Sequence, residues 1–222
     1  MTIYIGYDQR EDDAYRVVCS SIRRQCDRRI VPLVQSQLRD IGLYTRPVDH
    51  LASTEFSFTR FLTPMMNGYD GWALFIDCDM LFLESPDRLF DLADDKYAVM
   101  CVKHDYRPTS TIKMDGKTQH LYPRKNWSSV MLFNCAHPSN RNLTVDVVNT
   151  ESGSFLHQMK WLKDEEIGEL PKEWNWLAGW YKEPDDGAPK LIHYTEGGPW
   201  FSGYEDCEYA AEWKREFDAL YK

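Results

Sequence analysis

The chain has 222 residues, 43% hydrophobic and 27% charged, which is ordinary globular usage and excludes a disordered, collagenous or low-complexity polymer. A chain of this length is expected to form one generous domain that buries roughly 70% of its unfolded surface without disulfide staples. Twenty-six basic against thirty-five acidic residues leave a net charge of −9, spread rather than gathered in a tail, which excludes a general nucleic-acid binder.

Thr2 to Tyr7 reads as a first strand, and Ala14, Val17, Val18, Ser21 and Ile22 then recur at the spacing of one helix face. Ile30 to Val34 predicts a neighbouring strand that Pro32 moves toward an edge. Thr54 is placed to cap a helix with Phe58, Phe61, Leu62, Met65 and Met66 inward, ending at Asn67 and Gly68. Trp72 to Ile76 is a continuous apolar run, the mark of a strand buried on both faces in a mostly parallel sheet. Apolar Met80 to Leu83 follows, then Ser85 as cap and Pro86 as first-turn residue of a short helix with Leu89 and Phe90 inward. Strands are expected at Tyr97 to Val102, Ser129 to Asn134 and Lys190 to Tyr194, and helices at Phe155 to Leu162 and across Tyr209, Trp213, Phe217, Leu220 and Tyr221. Lys103 to Lys125 is polar and aperiodic and predicts a long functional loop inside the domain. Strands alternating with helices define an α/β fold.

No apolar run approaches the roughly 18 residues of a membrane span, and the amino terminus has no charged-then-apolar leader, so a soluble, cytoplasmic protein is expected. Cys19, Cys26, Cys78, Cys101, Cys135 and Cys207 include no C-x-x-C pair, which speaks against a cysteine zinc site and for reduced thiols.

The chemistry concentrates at Asp77-Cys78-Asp79, where the buried run ends. Two residues apart on extended backbone, both carboxylates face one side while Cys78 faces the other. Carboxylates sharing a cavity repel, so a divalent cation is the economical reason for the pairing; the bland alternative is a pair of solvated turn residues. Aspartates that directly follow an apolar strand stand at the carboxyl edge of the sheet, where α/β folds bind ligands. An anionic ligand would need such a local cation or an arginine, because screening hides charges beyond about 8 Å.

Leu74-Phe75-Ile76-Asp77-Cys78-Asp79, with Ile192-His193-Tyr194 and Pro199-Trp200, resembles the metal-dependent glycosyltransferases of family 8, which include the glycogenin and lipopolysaccharide galactosyltransferase groups. The resemblance implies a single GT-A-like, Rossmann-like domain over residues 1–222, with a mostly parallel sheet flanked by helices. It implies Asp77, Asp79 and His193 as ligands of manganese, with Mg²⁺ the alternative; an imidazole among oxygens fits Mn²⁺ better. Its implied partners are a nucleotide-sugar donor, a UDP-sugar above all, and a carbohydrate or other hydroxyl acceptor, with retention of anomeric configuration.

Tyr4-Ile5-Gly6-Tyr7-Asp8 resembles the family's opening strand, whose aspartate hydrogen-bonds uracil; Asp8 reads equally as a helix cap. Phe58-Thr59-Arg60-Phe61 resembles the segment that sets an arginine near the diphosphate. In the sugar-contacting strand, here Trp127-Ser128-Ser129-Val130, Trp127 stands where the family has asparagine. In the late motif Gly198 stands where the family has lysine, and the backbone N–H groups of Gly197 and Gly198 are the expected replacement. The implied donor-binding set is thus Tyr7, Asp8, Arg60, Asp77, Ser128, Gly197, Gly198 and Trp200. The family's Asp-Gln-Asp is missing before Leu170-Pro171 and Trp174-Asn175; Asp164-Glu165-Glu166 is the nearest acidic cluster, and Asp164 and Glu165 are the candidates for orienting the acceptor.

Two other readings share these features. A haloacid-dehalogenase-like phosphohydrolase also ends an apolar strand in D-x-D, but near the amino terminus and with threonine or valine and glycine following, not Met80 and Leu81. A non-catalytic nucleotide-sugar-binding module would fit the lost lysine.

Overall fold

The computed structural model describes residues 1–47, 54–105, 123–183 and 187–221. Its strands are β1 (Thr2–Tyr7), β2 (Arg29–Val34), β3 (Trp72–Ile76), β4 (Met80–Phe82), β5 (Val99–Cys101), β6 (Val130–Asn134), β7 (Ile167–Glu169), β8 (Trp176–Leu177) and β9 (Leu191–His193). Its helices are α1 (Asp12–Arg23), α2 (Gln35–Asp40), α3 (Thr63–Met66), α4 (Pro86–Phe90), α5 (Val145–Thr150), α6 (Gly153–His157) and α7 (Ala210–Ala219).

Six strands form the central sheet in the order β2-β1-β3-β6-β5-β7, and three form a smaller one in the order β4-β9-β8. In the central sheet β6 alone runs antiparallel to its neighbours β3 and β5, so the sheet is mainly parallel, as expected from the buried character of β3. Pro32 is tolerated because β2 is the edge strand and pairs only with β1. Val18 and Ile22 of α1 join the main core, whereas Val17 reaches a second cluster with Leu81, Ile192, Tyr194 and Trp213, beneath α7. Glu216 of α7 accepts from Ser20 at 2.6 Å and pairs with Arg24 at 2.7 Å, tying the last helix to the first.

Three predicted helices differ from the structure. In place of one helix from Thr54 there is a 3₁₀ turn, Thr59–Leu62, followed by the single turn α3. Pro64 has no N–H for the Arg60 carbonyl, which accepts from the Thr63 hydroxyl at 2.8 Å, and Thr54 bonds to Ser57 and caps no helix. The Phe155 to Leu162 helix is shortened to α6, because Met159 turns into the left-handed region at φ 54°. Leu220 and Tyr221 lie beyond α7 and are exposed, although the Tyr221 ring still meets that of Phe217 edge-on at 5.3 Å. Of the predicted loop from Lys103 to Lys125, residues 106–122 lie outside the described residues. Among the described residues no helix is long and apolar enough to cross a membrane, and all six cysteines are free.

Fully buried Asn140 joins the ends of two central strands. Its amide donates to the carbonyls of Ala98 and Asn134, both at 2.7 Å, and its oxygen accepts from the Trp161 indole at 3.2 Å. Asn140→Ala removes these bonds and leaves the indole N–H unpartnered, so stability falls by about 2–3 kcal/mol. A urea titration checks this as a lower midpoint with an unchanged slope.

Candidate functional site

The Asp77-Cys78-Asp79 segment bridges the two sheets. On one side the Asp77 N–H donates to the Ser129 carbonyl at 3.0 Å, beside β6; on the other the Asp79 carbonyl accepts from Tyr194 N–H at 2.9 Å, beside β9. Because Met80 pairs with His193 across β4 and β9, the imidazole is delivered to the carboxylates by sheet register. Candidate ligand atoms of Asp77, Asp79 and His193 all lie within 4.8 Å of one another, and His193 Nε2 is 3.4 Å from Asp79 Oδ2. Two carboxylates and an imidazole at this spacing are a donor set that fits a divalent ion.

A hydrogen-bond chain fixes the imidazole. Ser129 Oγ donates to the Asn126 carbonyl at 2.6 Å, and Asn175 Nδ2 donates to Ser129 Oγ at 2.8 Å. The Asn175 oxygen therefore faces His193 Nδ1 at 2.9 Å and accepts its proton, leaving the Nε2 lone pair toward Asp79. Arg60, buried against Phe56 and Phe75, sets Nη1 2.9 Å from Asp77 Oδ1 and donates to the Ser128 carbonyl at 2.8 Å. Ser128 Oγ meets His157 Nδ1 at 2.9 Å. Burial, then the charges of Arg60 and Arg46, hold His157 down to about 3, so it stays neutral. Glu11 is buried near the same centre, and burial, then the charges of Asp79, Asp8 and Asp77, push its carboxyl up.

The other predicted residues are distributed around this centre. Asp8 caps the turn Gln9–Glu11, and its two oxygens accept from Arg10 N, Nε and Nη2 and from Glu55 N. Burial would raise this carboxyl, but those bonds outweigh it and hold Asp8 below the usual carboxylate range. The Tyr7 hydroxyl donates to Asp12 at 3.0 Å. Trp200 packs edge-on to Tyr194 at 5.7 Å, within the second aromatic cluster. A Cβ on Gly198 would lie 1.9 Å from the Trp200 ring, so the lysine expected there is sterically excluded. The Gly197 N–H is spent on the Tyr194 carbonyl at 2.8 Å, so it does not replace that lysine. Asp164 and Glu165 are exposed on the turn leading into β7, with Asp164 paired to Arg124. Parallel pairing of β7 with β5 puts that turn at the amino edge of the sheet, while Arg124, the partner of Asp164, lies 5.3 Å from the Trp127 ring. Ser129 and Asn175 stand in segments that resemble the family's, but nothing in the sequence links them to His193, and Glu11 and His157 carry no site signal, since their partners lie at unrelated spacings along the chain.

The fold is shared with glycosyltransferases. The bifunctional glycosyltransferase WbbM matches with a TM-score of 0.67 at 16% identity, covering 98% of this chain and 49% of that one. The apo form of the glycosyltransferase GlyE of Streptococcus pneumoniae TIGR4 matches at 0.64 and 14% identity, covering 97% and 59%. The galactosyltransferase LgtC, solved with donor and acceptor sugar analogues, matches at 0.63 and 12% identity, covering 99% and 96%. The chain thus spans about half the length of WbbM and under two thirds of GlyE. No protein-family model matches the chain. It belongs to the family of Protein CDI of Arabidopsis thaliana, with which it is 53% identical over 225 residues, spanning 99% of this chain and 87% of that protein.

Two outcomes follow from the geometry. Asn175→Ala frees His193 to change tautomer; a divalent ion held by Asp77, Asp79 and His193 would then bind roughly 10–100-fold more weakly, read by calorimetry. His157 has its folded value, about 3, below the ordinary 6.5, so the unfolded chain takes up its proton first and stability falls as pH drops from 6.5 toward 3. His157→Gln should flatten that slope in denaturation curves recorded across the window.

Proposed function

We propose that this chain is, over residues 1–222, a metal-dependent glycosyltransferase that moves a sugar from a nucleotide-sugar donor, UDP-linked by resemblance, to a hydroxyl acceptor with retention of anomeric configuration. The observation that carries the reading is the convergence of Asp77, Asp79 and His193, with Arg60 beside them, at the carboxyl edge of a sheet with the glycosyltransferase fold. Asp77, Asp79 and His193 would hold the ion, Mn²⁺ by the softness of the imidazole. When bound, the ion supplies positive charge to the diphosphate leaving group.

The chain's own residues perform the remaining work. Cleavage of the bond between anomeric carbon and phosphate oxygen builds negative charge on the diphosphate. A surface with net charge −9 gives no help at that point. Arg60 is a buried cation beside Asp77, and its guanidinium is already aimed by the Ser128 carbonyl and two aromatic rings, so little reorganisation is needed as charge develops. Asn175 keeps the proton of His193 on Nδ1, so that Nε2 is available as a donor atom. Asp8, locked as a cap, reaches a uracil ring only if the half-exposed Arg10 side chain swings away.

Asp79→Ala and Asp77→Asn should each lower Mn²⁺-stimulated hydrolysis of UDP-sugars by roughly 10²–10³-fold while the fold persists. Unchanged metal stimulation in both variants contradicts the site. UDP with Mn²⁺ should raise the melting temperature by an amount that grows with ligand concentration over Kd. No shift with any nucleoside diphosphate and metal, together with phosphate release from small phosphomonoesters in Mg²⁺, would favour the phosphohydrolase reading.

A further inference from the structure

His104 leaves β5 at the same sheet edge as Asp77, and only 7% of it is exposed. Its Nδ1 meets the Tyr181 hydroxyl at 2.7 Å, and its carbonyl accepts from the Trp127 indole at 3.1 Å. Its Nε2 is buried with no hydrogen-bond partner. Both neighbours adjoin residues of the candidate site. Trp127 opens the turn whose Ser128 and Ser129 carbonyls hold Arg60 and Asp77. The Tyr181 ring lies 5.3 Å from that of Trp176, on β8, which pairs with the strand of His193.

A buried imidazole nitrogen left without a partner costs free energy, and such orphans persist where a ligand completes them. We propose that His104 contacts substrate, its Nε2 meeting a hydroxyl of a sugar ring bound between the Trp127 and Tyr181 side. The inference rests on the glycosyltransferase reading above. The chemistry selects this ligand over others. Burial, then the charge of His193, hold the ring down to about 3, so it carries no charge to offer a phosphate. Among the described residues the candidate metal ligands that converge are Asp77, Asp79 and His193, without His104. A neutral nitrogen flanked by aromatic rings suits a sugar, whose hydroxyls either donate or accept and whose C–H faces pack on rings.

The test compares His104→Phe and His104→Gln with the wild type in the presence of Mn²⁺. Calorimetry with UDP, UDP-glucose and UDP-galactose reads the donor. If the hydroxyl is the donor's, His104→Phe leaves UDP affinity within about twofold and weakens the UDP-sugar about tenfold, with His104→Gln recovering part of the loss. If it is the acceptor's, those affinities hold and KM for methyl glucosides and galactosides rises about tenfold, with kcat changing less. His104→Phe removes the orphan and also the bond to the Tyr181 hydroxyl, so its melting temperature is read only beside sugar binding. Wild-type sugar affinity and acceptor KM in both variants overturn the inference, as does a lower melting temperature with sugar binding unchanged, the signature of a packing role. If the wild type itself binds no UDP-sugar with Mn²⁺, the glycosyltransferase reading fails, and the inference with it.

Discussion

Electrostatic repulsion at the junction of two sheets is the constraint on which the rest of the structure depends. Asp77 and Asp79 face one cavity, with Glu11 and Asp8 close enough to perturb one another. Left alone, such a group of carboxylates takes up protons or pushes apart. Here backbone hydrogen bonds to Ser129 and Tyr194 prevent separation, so positive charge must come to the carboxylates. Arg60 supplies part of it at Asp77, and the geometry around Asp79 and His193 suits a divalent ion for the rest.

The two-sheet arrangement makes that placement rigid. The central sheet ends at Ile76 and the small sheet begins at Met80, so three residues turn the corner between them and cannot drift from either. The same register that pairs Met80 with His193 pairs His193 with Leu177, two residues after Asn175. The imidazole on β9 and the amide that orients it, on the residue just before β8, are therefore neighbours. Large rings pack the region, with Trp174 and Trp176 buried and Trp200 tilted against Trp213 of α7 at 5.5 Å. That packing explains why residue 198 is glycine.

Elements with strong local signals are legible in the sequence. Ala14, Val17, Val18, Ser21 and Ile22 are all buried on α1, and the continuous run Trp72–Ile76 is buried on both faces as β3. The Ser85 cap and Pro86 likewise mark the start of α4, where Ser85 Oγ accepts from Asp87 N at 3.3 Å. The misreadings arose where tertiary demands override periodicity. Apolar spacing from Phe58 to Met66 suits a helix, yet Pro64 removes the bond that would continue it. Strands β7 and β8 hold three and two residues, too few for a pattern. The aspartate pair was legible because both members share one short motif. The chain from Ser129 through Asn175 to His193 was not, since it joins residues 46 and 18 positions apart through side chains that many surface segments also carry.

The most direct test is pulsed electron paramagnetic resonance of Mn²⁺ added with UDP. A centre built as described gives nitrogen modulation from a coordinated imidazole together with phosphorus coupling from the diphosphate, and His193→Ala loses the nitrogen signal alone. A wild-type spectrum without nitrogen modulation, or one that His193→Ala leaves unchanged, would contradict the account.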